Sequence, residues 1–313
     1  LLIAGVAIHN FLRSLPFQFA EFDAFQYLSF SKSIFLGREV LIPPTRSPVT
    51  ALVIPPDLLW GRGMMAMFHL GLSALLFVVA RRLFQSRWAA AFASSAYGLS
   101  WWMLIFQTSP MTDIPGLCVW FAGFARWLIP SPRRLIWAGI LFGLACLIRF
   151  DLCWFVAPLL ILTPRGSRRS LIVPLLCLAV VEALLDAAVY HRLVYAPWEF
   201  WLFNRGMYSA ARPLDLLYIG KTLLQLFPLP VLCSLAALGR IKQKENILLL
   251  SLLVPFFLYI SYIHVSYRGQ FEPRVFVVKC LPLLVLLSGN VFVELKRLSG
   301  SSRMRHALSA AVV

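Results

Sequence analysis

Apolar segments recur along this chain from one end to the other, separated by short polar connections, and few folds admit that pattern. A helix needs about 20 apolar residues to cross the hydrocarbon of a bilayer, and fewer where neighbours bury it. The runs are continuous rather than alternating, so the spanning form they predict is the helix and not the barrel strand. With 60% hydrophobic and 13% charged residues over 313 positions, a soluble domain is excluded. The expected fold is all-α, a polytopic transmembrane bundle of about 10 to 11 spans.

The spans read as Leu1 to Leu15, Met64 to Ala80, Trp88 to Phe106, Ile114 to Ile129, Leu135 to Ile148, Leu152 to Thr163, Leu171 to Tyr190, Leu214 to Leu238, Ile247 to His264 and Val275 to Val293. A further span begins near Ala307. Leu135 to Ile148 and Leu152 to Thr163 are short, and are either two crossings or a re-entrant hairpin. The chain starts at Leu1 and stops inside an apolar run, so a single membrane domain over residues 1–313, cropped at both ends, is expected.

Basic residues cluster in every second connection: Arg81, Arg82 and Arg87; Arg133 and Arg134; Arg165, Arg168 and Arg169; Arg240, Lys242 and Lys244; Lys296, Arg297, Arg303 and Arg305. By the positive-inside rule these connections are cytoplasmic. The net charge of +16 is then mostly topology. Its dispersal over short turns argues against a nucleic-acid partner.

The opposite side holds the long connections, and these and their short turns carry eight of the 13 acids, namely Glu21, Asp23, Glu39, Asp57, Asp113, Asp151, Glu199 and Glu272. Loops on a rigid scaffold are the usual seat of chemistry. In the first long loop, Phe22, Phe25, Ser29, Ile34 and Phe35 with Lys32 and Arg38 predict a helix lying in the membrane interface. Glu21 and Asp23 stand at its start, either as an acidic cap or as reactive carboxylates. Thr112 or Asp113, in Ser109-Pro110-Met111-Thr112-Asp113-Ile114-Pro115, either caps a helix or serves a site. Arg149-Phe150-Asp151 is either an ion pair at a tight turn or an anion-binding group beside a polar cavity. The segment Tyr267-Arg268-Gly269-Gln270-Phe271-Glu272-Pro273-Arg274 carries two arginines, which anchor at an interface or clamp a phosphate bidentately.

The order of these features resembles the GT-C superfamily of membrane glycosyltransferases. More narrowly, three stretches are similar to the dolichyl-phosphate-mannose-dependent mannosyltransferases. They are Asp23-Ala24-Phe25-Gln26-Tyr27; Asp186 to Tyr190 followed by Pro197-Trp198-Glu199-Phe200 and Phe203-Asn204; and Phe271-Glu272-Pro273-Arg274 with Pro282. The chain departs from the family in its acidic pair, which stands as Asp23-Ala24 with Glu21 two residues earlier, and in lacking the His-Lys lead of the late motif. The resemblance implies inverting transfer of a sugar, mannose or another hexose, from a polyprenyl-phosphate donor to a glycan, lipid or protein acceptor.

Such a transfer requires a base for the acceptor hydroxyl and positive groups for the departing phosphate. Asp23 is the expected base, with Glu21 or Asp113 orienting it or the acceptor. Arg274, Arg268 and Arg149 are the expected phosphate ligands, and Tyr27, Glu272 and Asn204 the expected positioning groups. One carboxylate suffices when phosphate leaves unprotonated. No nucleotide-binding glycine loop precedes a helix, and the glycines inside apolar runs suit close helix packing. The six cysteines and five histidines show no ligand spacing, so no cofactor is required, although a divalent ion on Asp23 and a second acid is conceivable. The expected setting is a bacterial or archaeal plasma membrane rather than the endoplasmic reticulum, with the site on the non-cytoplasmic side. A transporter or lipid flippase is the main rival. Such proteins tend to place charges at midplane and often repeat their halves, and neither feature is seen here. A noncatalytic scaffold leaves the gathered acids unexplained.

Overall fold

The computed structural model describes residues 2–14, 22–37, 47–129, 131–191, 221, 223–265 and 273–299. Every regular element among them is helical. In chain order they are α1 (Leu2–Ser14), α2 (Phe22–Phe35), α3 (Thr50–Val53), α4 (Leu58–Phe84), α5 (Arg87–Gly98), α6 (Trp101–Phe106), α7 (Asp113–Trp127), α8 (Pro132–Ile148), α9 (Cys153–Leu162) and α10 (Arg168–Tyr190). They continue with α11 (Pro228–Ser234), α12 (Lys244–Val265), α13 (Pro273–Ser288) and α14 (Asn290–Ser299). Short 3-10 turns lead into α9 and α10 and follow α11. The expected all-α bundle is what the chain forms.

α7 is the hub. Apolar and small residues line almost its whole circumference, and Trp120, Phe121 and Phe124 are fully buried against α4 and α8. The Trp120 ring meets Phe124, Phe142 and Phe155 at centroid distances of 5.1, 5.5 and 5.3 Å, and Phe155 meets Phe256 of α12 at 4.2 Å. Aromatic pairs at such spacings add about 0.5–1.5 kcal/mol each beyond area burial. Glycines set how closely the helices approach. A Cβ on Gly139 would stand 2.6 Å from the Leu171 carbonyl oxygen, and one on Gly143 2.5 Å from Leu178 Cδ1, so α10 rests directly on the α8 backbone.

α4, and α10 with its preceding turn, are each long and apolar enough to cross a membrane alone. On α10, Val173, Leu176, Val180 and Leu184 are 56–66% exposed. An apolar stripe of that kind requires lipid rather than water beside it.

Three expected spans have other bounds. α4 starts six residues before Met64, because the Asp57 carboxylate accepts the Leu59 and Trp60 amide protons at 2.9 and 3.0 Å and caps it there. Trp88 to Phe106 divides into α5 and α6, since Gly98 packs against Ile3 and Ser73 and Ser100 adopts an extended conformation. Val275 to Val293 divides at Gly289, which lies against the Phe84 ring. The expected interfacial helix is α2: Phe25 and Phe35 are exposed, whereas Ala24, Tyr27 and Phe30 face the bundle.

The two ends of the bundle differ chemically. At one end Arg82 donates to the Ala125 carbonyl, Arg168 bonds the carbonyls of Thr163 and Ile161, and Arg240 pairs with Glu294 at 2.5 Å. The reciprocal amide pair of Asn246 and Asn290 joins α12 to α14 at that end. At the other end, where α7 begins and α8 finishes, buried acids and bases interlock.

Candidate active site

Thr112-Asp113-Ile114-Pro115 starts α7, with proline in the first turn where its missing N–H costs nothing. The capping alternative for Thr112 is not realised. Its side chain caps no amide, and its hydroxyl instead pairs with the Tyr27 hydroxyl of α2 at 2.9 Å. Asp113 turns inward and is 2% exposed.

α8 ends as Arg149 becomes extended (φ −148°, ψ 101°), and one 3-10 turn, Phe150–Leu152, then brings Asp151 round. Gly116 lets this turn sit against α7. A Cβ there would stand 3.0 Å from both Arg149 Cβ and Leu152 Cδ1, so a larger residue would push the arginine away from Asp113.

The result is an ionic quartet. Arg149 Nε lies 3.4 Å from Asp113 Oδ1 and 3.3 Å from Asp151 Oδ1. Lys279 of α13, fully buried, lies 3.4 Å from the same Asp113 oxygen and is hydrogen-bonded to Asp151 Oδ2. Arg149 Nη1 reaches the Tyr27 hydroxyl at 3.4 Å, at the long limit for such a bond. Among the described residues two cations thus face two carboxylates, the pairing that keeps buried charge tolerable. Burial alone would lower the Arg149 pKa. Asp113, Asp151 and Tyr27 outweigh that and hold it well above its ordinary value, so the guanidinium stays charged.

Of the expected site residues, the structure therefore joins Tyr27, Asp113 and Arg149. Arg149 takes the ion-pair alternative, while its Nη2 makes no hydrogen bond among the described residues. Asp23 lies in the first turn of α2, four positions before Tyr27, and Arg274 in the first turn of α13. Their side chains, and Glu21, Asn204, Arg268 and Glu272 entirely, lie outside the described residues. Lys279 was not anticipated, although a lone lysine in Val277-Val278-Lys279-Cys280-Leu281 is a costly placement that signals a buried partner. Glu182 was missed likewise. It is buried one turn before Asp186 on α10, and the Tyr190 ring beyond them stacks on Phe30 of α2 at 6.4 Å.

Among the described residues no group of three His, Cys, Asp or Glu converges as a metal site. Cys280 is buried as expected of a small core residue, but Cys177 is exposed on α10.

The model of the Alg9-like mannosyltransferase family matches residues 25–313, which takes in α2 after its first turns and every later helix. The chain belongs to this family. Its fold is that of the GT-C glycosyltransferases, as its likeness to a crystal structure of ArnT from Cupriavidus metallidurans bound to undecaprenyl phosphate indicates. The TM-score is 0.70 at 18% sequence identity. That comparison covers 99% of this chain and 62% of the ArnT chain, so the family member spans rather less than two thirds of that protein's length. No curated protein matches. Family and fold together make the chain an integral membrane protein.

Proposed function

We propose that this chain is the membrane part of a glycosyltransferase. In this reading it moves a hexose, mannose by its family, from a polyprenyl-phosphate donor to a hydroxyl of a glycan, lipid or protein acceptor on the non-cytoplasmic face. The observation that carries the reading is the link from α2 to the quartet, because Tyr27 ties the helix that bears Asp23 to Thr112, the neighbour of Asp113, and to Arg149 at one end of the bundle. The undecaprenyl phosphate bound in the ArnT crystal structure supports a polyprenyl-phosphate ligand for a chain of this fold.

In the proposed step, Asp23 accepts the acceptor's hydroxyl proton as that oxygen bonds to the anomeric carbon. The bond from that carbon to the phosphate oxygen breaks, and polyprenyl phosphate leaves with the electron pair. Attack opposite to the leaving group inverts the anomeric centre. Arg274 and Arg268, with the Nη2 edge of Arg149, stabilise the charge that builds on the departing phosphate. Glu21 and Asp113 orient the base or the acceptor, and Tyr27, Glu272 and Asn204 complete the positioning. A divalent ion on Asp23 with a second acid is compatible with this scheme and is not required by it.

The test is loss of sugar from a panel of labelled polyprenyl-phosphate sugars in membranes holding the full-length protein, with native lipids as acceptors. Turnover that falls at least about 100-fold in Asp23→Asn, with donor use weakened in Arg274→Ala, is the expected result. Normal turnover in both variants removes the site assignment, and silence with every donor despite folded protein favours transport.

A further inference from the structure

Lys279 sits seven positions into an apolar helix, fully buried, with its ammonium 5.9 Å from the centroid of the Phe256 ring and against Asp113 and Asp151. Nothing about helix packing asks for a lysine there; a leucine or methionine would fill the space without the desolvation that a buried ammonium entails. What the ammonium does supply is the second positive charge of the quartet. With it, Asp113 and Asp151 are flanked by two cations, the ammonium on one side and on the other Arg149 Nε, which lies between them at 3.4 and 3.3 Å. The same guanidinium touches the Tyr27 hydroxyl, and Tyr27 follows Asp23 by one turn of α2.

We infer that Lys279 is a positioning residue that fixes the placement of α2 from the opposite side of the site, through the two aspartates, Arg149 and Tyr27. Its effect on catalysis rests on the transferase reading; its effect on α2 does not. Without the ammonium both aspartates lose a buried cationic partner, water enters to solvate them, their hold on Arg149 weakens and the contact with Tyr27 loosens. Lys279 itself touches no reacting group in this scheme.

The test uses the full-length protein in lipid nanodiscs and two readouts. In the first, amide hydrogen exchange is followed over residues 24–35 in wild type, Lys279→Met and the charge-balanced double variant Lys279→Met/Asp151→Asn. Exchange in α2 is expected to be about tenfold faster in the single variant, while α7 and α8 keep their protection, and to return most of the way in the double variant. In the second, turnover of polyprenyl-phosphate mannose is measured. Lys279→Met is expected to lower kcat by up to about tenfold, in step with the exchange of α2, with little change in KM.

Unchanged α2 exchange in Lys279→Met overturns the inference whatever the activity. A double variant no better than the single also overturns it, because charge balance would then not be what Lys279 contributes. If the single variant fails to fold, the double variant still decides: wild-type exchange in α2 supports the inference, and accelerated exchange overturns it. A wild type without turnover whose α2 exchange still responds to Lys279→Met defeats the transferase reading and leaves the inference standing.

Discussion

Tyr27→Phe removes one oxygen and little else, which makes it the sharpest probe of how α2 is held. The ring stays, so its packing against Ile54 and Met65 survives. Among the described residues two contacts go: the hydroxyl pair with Thr112 at 2.9 Å and the longer approach to Arg149 Nη1 at 3.4 Å. A neutral hydrogen bond contributes about 1 kcal/mol net, and the second contact is charge-assisted but near the distance limit, so together they contribute about 1–2 kcal/mol. That energy corresponds to a docking equilibrium for α2 about 5- to 30-fold less favourable. Ala24 and Phe30, both fully buried, keep the helix in place most of the time. The expected result is therefore faster amide exchange in α2 within that range and a kcat lowered by no more than that factor, with global thermal stability shifted only slightly. Exchange and turnover both within about twofold of wild type would mean that the Tyr27 hydroxyl does not secure α2, and the link between the quartet and Asp23 would fail with it.

Removal of the quartet's arginine tests the same network through stability. In the wild type Arg149 is held above its ordinary value by the aspartates and Tyr27, which outweigh its burial, so its contribution is fully present at every pH below the range where a free arginine titrates, and it adds no slope near neutrality. Arg149→Met should cost about 3–5 kcal/mol at neutral pH, because it leaves buried carboxylates without their guanidinium, and thermal unfolding would show it as a lower midpoint; an unchanged melt contradicts the quartet. Gly139→Ala, about 15 Å along α8 from Arg149, puts a methyl carbon 2.6 Å from the Leu171 carbonyl oxygen. It should cost about 1–3 kcal/mol through overpacking, seen as a lower unfolding temperature with turnover per folded molecule retained; an unchanged melt would mean that α8 and α10 do not meet this closely.

What the sequence makes legible follows from the strength of each local signal. The bundle is legible because apolar runs of spanning length have one stable form in lipid. α2 is legible because its segment is rich in aromatic residues, with Lys32 and Arg38 near its end, the composition of a helix with one side on the bundle, through Tyr27 and Phe30, and Phe25 and Phe35 outside. Arg149-Phe150-Asp151 is visible as a charged turn, and the ion-pair alternative is the one realised. Thr112 misleads, since a threonine before a proline-bearing first turn matches a helix cap, yet its hydroxyl is taken by a residue 85 positions away. Lys279 shows only as an anomaly. A lone lysine in an apolar span must have partners, but which carboxylates share its depth depends on where α13 begins relative to α7. Nothing local to Val277-Val278-Lys279-Cys280 fixes that register.

The same register separates what holds the site from what is proposed to react. Arg274 precedes Lys279 by five residues, about 7–8 Å along α13, and Asp23 precedes Tyr27 by four, about 6 Å along α2. Each proposed reacting group thus stands roughly one turn from a residue of the quartet network, at the first turn of its own helix. Among the described residues the quartet pairs two cations with two carboxylates, and its side chains are at most 13% exposed, so apart from the Nη2 edge of Arg149 it suits a fixed support. A support of this kind turns a small change at Lys279 or Asp151 into a displacement of two helix starts. Substitutions of Lys279 or Asp151 should then depress kcat with KM little altered, whereas substitution of Arg274 should act first on donor KM. A variant of Lys279 or Asp151 whose only defect is in donor KM would make the network part of the phosphate clamp and not its support.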